Sequence, residues 1–250
     1  RMSTGVHDPL LATATALADG ERQAIFVVVD IIWLTKGQVA EARRGIEEAT
    51  GVPAAQIMIS ATHTHSGPVT MDLLSASNDS VVPEPDPIYL GTLIQGIIQA
   101  AEEAYHSRQP ATIGLAMATA SGIGTNRHDP QGPSMSEVPV LVARSLQDQR
   151  VLGVLSVCSM HPTVLHEDST LVSGDFFAFA KQYLQTSGPG VDCPVLCCMG
   201  AAGNQSPRHV TRANTFDEAK RLGTILGKAW ETALNQAEMI SDWTLKLDGS

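Results

Sequence analysis

Basic residues are scarce in this sequence: 16 Lys and Arg stand against 26 Asp and Glu, for a formal net charge of -10. Nucleic acid and anionic membrane surfaces both require a basic footprint, so this balance argues against either as a general electrostatic partner. No uninterrupted apolar run reaches transmembrane length, and no Lys/Arg cluster flanks one, so no transmembrane segment is expected. Internal repeats and low-complexity tracts are missing. The four cysteines, Cys158, Cys193, Cys197 and Cys198, lack the paired CxxC spacing of a zinc ribbon. Cys197 and Cys198 sit in the apolar run VLCCMG, where buried thiols are ordinary core residues. A disulfide framework is therefore not expected, with Cys158–Cys193 the one pairing left open. Aromatics are 4% of the chain, and the only aromatic-rich stretch is Phe176 to Phe179, so no acyl-chain groove is evident. The first residue is Arg1, not Met, no signal peptide is visible in these residues, and the closing WTLKLDGS resembles an apolar strand cut short. Both ends are those expected of an excerpt from a longer chain.

What is present is a chain of 250 residues, 43% hydrophobic, enough for one large domain or two small ones with a sizeable core. Its most informative stretch is IMISATHTHSGP, Ile57 to Pro68. Ile57-Met58-Ile59 has the β-branched weighting of a buried strand, and Ser66-Gly67-Pro68 marks a turn. Between them, His63 and His65 are two positions apart, which on extended backbone points both rings to one side. Imidazole is a common ligand for zinc and similar metals. Two readings are open for HxH alone: half of a metal site, or two histidines bonded locally at a strand end.

Around this stretch the pattern is α/β. Asp19-Gly20-Glu21 separates two strand-like runs as a hairpin turn, and the second run, Ile25 to Val29, ends at Asp30. Thr35 to Thr50 has helical periodicity and stops at Gly51 and Pro53. Strand, helix, strand is a βαβ-like unit. Val69 to Pro87 is a polar loop that would form a lid or wall of the site. A second helix is expected over Ile88 to His106, strands over Ala111 to Ala118, Ser136 to Arg144 and Val151 to Ser159, and a helix from about Phe176 to Leu184 with Asp175 as its N-cap. Val195 to Met199 is a further strand, and Phe216 to Gln236 a long helix. The fold class is α/β, a mixed sheet with flanking helices and a site at the C-terminal ends of strands.

The strand ending at Ser159 runs into Met160-His161-Pro162, so His161 repeats the arrangement of His63. That recurrence favours metal binding over local capping. Arg127, in TNRHDP, can fork onto an acyl or carboxylate oxygen. His128 and the set His166-Glu167-Asp168 are weaker ligand candidates in polar loops. After the strand ending at Met199, Gly200 to Pro207 brings backbone N–H groups and the Ser206 hydroxyl close to anything bound. Asp30 and Asp175 are candidates to fix an imidazole's tautomer.

Several stretches together resemble the catalytic domain of the neutral/alkaline, non-lysosomal ceramidases, in particular shorter bacterial members. They are DPLLATATAL with VVVDIIWL, ISATHTHSGP at 59–68, TNR at 125–127, MHPTVL at 160–165, SGDFFAFA at 173–180 and GAAGNQSP at 200–207. The resemblance implies one ceramidase-like catalytic domain over residues 1–250, incomplete at both ends. It implies a zinc-dependent amidohydrolase that cleaves the N-acyl amide of ceramide or a related lipid, secreted or periplasmic. His63 and His161 would be Zn2+ ligands, with a Glu and a Tyr beyond residue 250 completing the site. His65 would meet the substrate, Arg127 would be an active-site arginine, and Ser206 would match a serine discussed as a nucleophile. Asn204 stands where that loop usually has Asp. Three alternatives remain beside this: an ester or other amide substrate, a non-catalytic member that keeps the scaffold, and a serine hydrolase of another α/β fold. The last lacks its GxSxG elbow.

Overall fold

The computed structural model describes residues 2–20, 22–72, 84–166, 168–240 and 242–246. A short strand β1 (Gly5–Val6) precedes the hairpin of β2 (Ala12–Ala18) and β3 (Gln23–Val29), which pair antiparallel from Ala12↔Val29 to Ala18↔Gln23. Helix α1 (Lys36–Thr50) begins in a capping box: Gln38 N–H donates to the Thr35 hydroxyl oxygen, and Thr35 N–H donates to Gln38 Oε1. It ends at Gly51, whose φ of 72° is the left-handed conformation that a Cβ would disfavour. Strand β4 (Ile57–Ala61) then returns parallel to β3, closing the expected βαβ unit.

Helix α2 (Pro87–His106) follows, capped by Asp86, and then β5 (Ala111–Thr119), β6 (Thr125–Asn126), β7 (Glu137–Ser145) and β8 (Val151–Cys158). The remaining elements are β9 (Leu171–Val172), α3 (Asp175–Ser187), β10 (Val195–Met199), β11 (Gln205–Ser206), α4 (Phe216–Gln236) and β12 (Glu238–Ile240). Two main sheets result, β2-β3-β4 and the mixed β10-β8-β7-β5-β12, beside the two-stranded pairs β1-β9 and β11-β6.

Strand parity explains how these layers stack. Ile25, Val27 and Val29 face α1 and α2, where Ile46, Leu93 and Ile97 close a core. Val28, on the opposite face of β3, meets Leu196 and Cys198 of β10 between the two sheets. The far face of the larger sheet packs Val140, Val142, Val154 and Cys197 against α3 and α4. Helices therefore cover the outside of two facing sheets, an α/β architecture in which the flanking helices are as expected and the sheet is split in two.

Some local expectations are corrected. Residues 243–246 lie in no strand; instead Leu245 bonds the first hairpin turn, its N–H donating to Asp19 and its carbonyl accepting from Arg22. The final residues 247–250 lie outside the described residues. Phe176 and Phe177 are fully buried core rings. All four cysteines are free and buried, so the Cys158–Cys193 pairing left open above is not formed; burial raises every thiol pKa, Cys158 to about 12.

Trp230 of α4 anchors the second core: it is fully buried and its Nε1–H donates to Ser156 Oγ at 2.9 Å. Trp230→Ala is expected to cost about 3–5 kcal/mol in a urea titration, the range for deleting a large buried aromatic. A loss below about 1 kcal/mol would mean that the core is not built around this ring.

Candidate functional site

The parallel strands β3, β4, β8 and β10 all point their C-terminal ends to one side, and the loops that leave those ends converge there. This is where open α/β sheets bind ligands. β4 stops at Ala61, so His63 and His65 are not on extended backbone as the HxH spacing implied. His63 adopts φ 67°, a left-handed conformation unusual for a residue with a Cβ. That reversal, not strand alternation, turns the two rings together; their centroids are 4.9 Å apart and edge to face.

His161, three residues past the end of β8, arrives from the other sheet. Its ring centroid lies 4.8 Å from that of His63 and 5.9 Å from that of His65. One ligand atom from each of the three rings lies within 4.8 Å of the others, so the group can hold a metal ion. The tautomers are set by carbonyl oxygens, which can only accept. His63 Nδ1–H donates to Ile32 O at 2.8 Å, and His161 Nδ1–H is shared between Ala202 O at 2.8 Å and Gln205 O at 3.0 Å. Each ring thus leaves Nε2 as the nitrogen free for a metal, and a backbone partner on the other nitrogen is the usual support of a metal-binding imidazole. The donor set and its supports fit a zinc-type ion.

Asp30 and Asp175 do not play the tautomer-fixing part expected of them. Asp30 accepts two bonds from Lys181 Nζ and one from Leu11 N–H. Asp175 accepts from the N–H groups of Val164, Leu165 and Phe176. Nor is Asp175 the N-cap of α3, since Gly174 holds that position and Asp175 is the first helical residue. The parts played by the carbonyls of Ile32, Ala202 and Gln205 were not foreseen, because any residue type can supply a backbone oxygen.

Arg127 and Ser206 reach the site on the β6-β11 ribbon, where Thr125 pairs with Ser206 and Asn126 with Gln205. Arg127 N–H donates to Asn204 O at 2.7 Å, and the Asn204 side-chain amide donates to Pro133 O, a bond that Asp at this position could not make. Close approach here demands Gly124: a Cβ would collide with Met160 Sδ and the Ser206 carbonyl. Among the described residues Arg127 has no carboxylate partner, and its Nε is buried without a hydrogen bond. Ser206 Oγ accepts from Arg208 N–H at 3.4 Å.

His65, Arg127, His161 and Ser206 line one cleft of about 980 Å³, with Pro68 and Leu165 among its apolar walls. Val69 and Glu84, at the described ends of the polar loop, also line it, while residues 73–83 lie outside the described residues. Of the weaker ligand candidates, His166 lines the cleft, His128 is exposed and outside the histidine group, and Glu167 is outside the described residues. Trp33, not anticipated, lies beside His63 with ring centroids 5.6 Å apart.

The cleft disfavours the charged forms of His65 and His161. The pKa of His65 is pushed down to about 4, first by loss of water around the ring and then by repulsion from His63, His161 and Arg127. That of His161 is also lowered, chiefly by burial, against the raising effect of its carbonyl partners. Because His65 then binds its proton more weakly folded than unfolded, folding stability falls as pH drops from about 6.5 toward 4. In an NMR titration of the metal-free protein, the His65 ring should show no protonation step between pH 5.5 and 8. A midpoint near 6.5 would contradict the cleft described here.

No family model matches the chain. Among curated proteins it is similar to a neutral ceramidase of Mycobacterium tuberculosis (strain ATCC 25618 / H37Rv), 22% identical over 212 residues, or 76% of this chain and 32% of that protein. Among solved structures it superposes on a ceramidase complexed with C2, with a TM-score of 0.74 at 18% identity, over 88% of this chain and 37% of that one. The neutral ceramidase of Pseudomonas aeruginosa gives a TM-score of 0.73 at 20% identity, over 88% and 38%. Fold and site thus define an α/β chain with a histidine group able to take a metal at its strand ends. The chain resembles the neutral ceramidases in sequence and shares their fold, spanning about a third of the curated relative's length. Among the described residues no helix is long and apolar enough to cross a membrane.

Proposed function

We propose that this chain carries the catalytic centre of a zinc-dependent amidohydrolase that cleaves the N-acyl amide bond of ceramide or a related N-acyl substrate. The observation that carries the reading is the pair of strand-end imidazoles, His63 and His161, each bonded through Nδ1 to carbonyl oxygen and each presenting Nε2. The similarity to neutral ceramidases supports the choice of substrate class. In this reading residues 1–250 act as one catalytic domain.

His63 and His161 would hold the zinc ion, which when bound would supply Lewis acidity to polarise a carbonyl and acidify water. His65, neutral at pH 7, offers an N–H or a lone pair to the substrate carbonyl or hydroxyl beside the metal. Arg127, free of any carboxylate among the described residues, brings a preorganised positive charge to the developing oxyanion. Pro68 and Leu165 cover apolar substrate surface.

Ser206 orients the substrate rather than attacking it. A serine nucleophile needs a base within hydrogen-bond reach, and no histidine ring bonds Ser206 Oγ among the described residues. The test is fatty-acid release from a short-chain ceramide and from the matching ester by the zinc-loaded full-length protein. Amide cleavage is expected, with Arg127→Ala slower by about 10²–10³-fold, as for loss of an oxyanion donor. Ser206→Ala is expected to keep a measurable rate without an acyl-enzyme burst in the parent. A parent that cleaves neither substrate would overturn the hydrolase reading, and a burst abolished by Ser206→Ala would make Ser206 the nucleophile.

A further inference from the structure

The two proposed ligand loops come from different sheets, and among the described residues no hydrogen bond runs directly between them. What joins them is helix α3. At its start, the Asp175 carboxylate accepts Val164 N–H at 3.0 Å and Leu165 N–H at 2.9 Å, gripping the turn that follows His161. Asp175 does this from φ 54°, fully buried. Left-handed backbone at a non-glycine residue persists only where its surroundings hold it, and His63 is the other such residue at the site. Just before α3, Ser173 bonds the His63 loop twice: its N–H donates to Ser66 O at 2.9 Å and its carbonyl accepts Thr64 Oγ at 2.8 Å.

Two turns into α3, Lys181 Nζ reaches Asp30 at the end of β3, at 2.9 Å and 2.7 Å to the two carboxylate oxygens. Asp30 is 1% exposed and Lys181 7%. The next two residues after Asp30 supply the His63 supports, Ile31 O to its N–H at 2.9 Å and Ile32 O to its Nδ1–H at 2.8 Å. One helix thus holds both loops, by a carboxylate on one side and an ammonium on the other. Burying two charges is costly, and an apolar pair would give comparable stability. The ion pair has a use that an apolar contact lacks: it fixes the end of β3 at one distance and orientation from α3.

We infer that α3 is the spacer that sets the separation of His63 and His161, and that Asp30, Lys181 and Asp175 are positioning residues for the metal rather than groups that touch it. This rests on the proposed metal site. The test measures zinc affinity of the full-length protein by competition with a chromophoric chelator, and the visible absorption of its Co2+ form. The variants are Lys181→Arg and the double replacement Asp30→Asn with Lys181→Met. The double variant removes both charges together and keeps an acceptor for Leu11 N–H, and its melting temperature should stay within about 5 °C of the parent. Its zinc affinity is expected to fall by about 10-fold or more, with a changed Co2+ spectrum, as for loss of supports behind metal ligands. Lys181→Arg retains the charge pair but alters its reach, so it should fold normally, bind zinc more weakly than the parent and also shift the spectrum. Variants that match the parent within twofold and in spectrum would overturn the spacer role alone. If the double variant does not fold, Lys181→Arg decides by the same criteria. A parent without zinc affinity would overturn both this inference and the metal reading beneath it.

Discussion

His161→Ala and His63→Ala are each expected to abolish stoichiometric zinc binding and to lower amide hydrolysis by about 10³-fold or more, beyond the loss of a single oxyanion donor. The reason is geometric. Each ring has Nδ1 committed to a carbonyl and Nε2 left for the metal, so deleting either removes one of the two proposed ligands together with its backbone support. His65→Ala separates two arrangements. The three rings lie close enough to share one ion, yet in the proposed mechanism His65 serves the substrate. Zinc content should therefore survive His65→Ala while activity falls. Elemental analysis of the three variants, with circular dichroism to confirm folding, decides the matter. Zinc retained by both His63→Ala and His161→Ala would contradict the site; zinc lost from all three would make His65 a ligand.

The second large effect is on stability. Lys181→Met leaves Asp30 buried with no counter-charge, and breaking a buried ion pair from one side typically costs about 3–5 kcal/mol. Leu11 N–H remains a donor to that carboxylate but cannot neutralise it. Urea denaturation of Lys181→Met beside the charge-free double variant measures this directly. The single replacement should be the less stable of the two. Equal stability would show that Asp30 finds another partner or reaches water.

The sequence made the helices and strands legible where periodicity is strong. Phe216–Gln236 carries a broad apolar face, and the β3-α1-β4 unit is bounded by a capping box and a terminal glycine. The histidines at the ends of apolar strands were equally visible. Their geometry was not, because spacing alone implies extended backbone, and His63 instead turns at positive φ. Carboxylates at element ends, Asp30 after a strand and Asp175 before a helix, suggested themselves as histidine partners. In the fold, Asp30 and Asp175 meet nearer donors, while backbone oxygens of Ile32, Ala202 and Gln205 support the rings. The splitting of one sheet into two facing sheets depends on Val28 meeting Leu196 and Cys198, a long-range contact without a local signature. Lys181 looked like any helix lysine; only the tertiary structure sets it against Asp30.

The most direct test of the central claim is X-ray absorption at the zinc edge of the metal-loaded, full-length protein. The account predicts nitrogen and oxygen scatterers at about 2.0–2.2 Å with the outer-shell pattern of imidazole, corresponding to two rings. A shell at about 2.3 Å from sulfur, or a spectrum without imidazole, would contradict it.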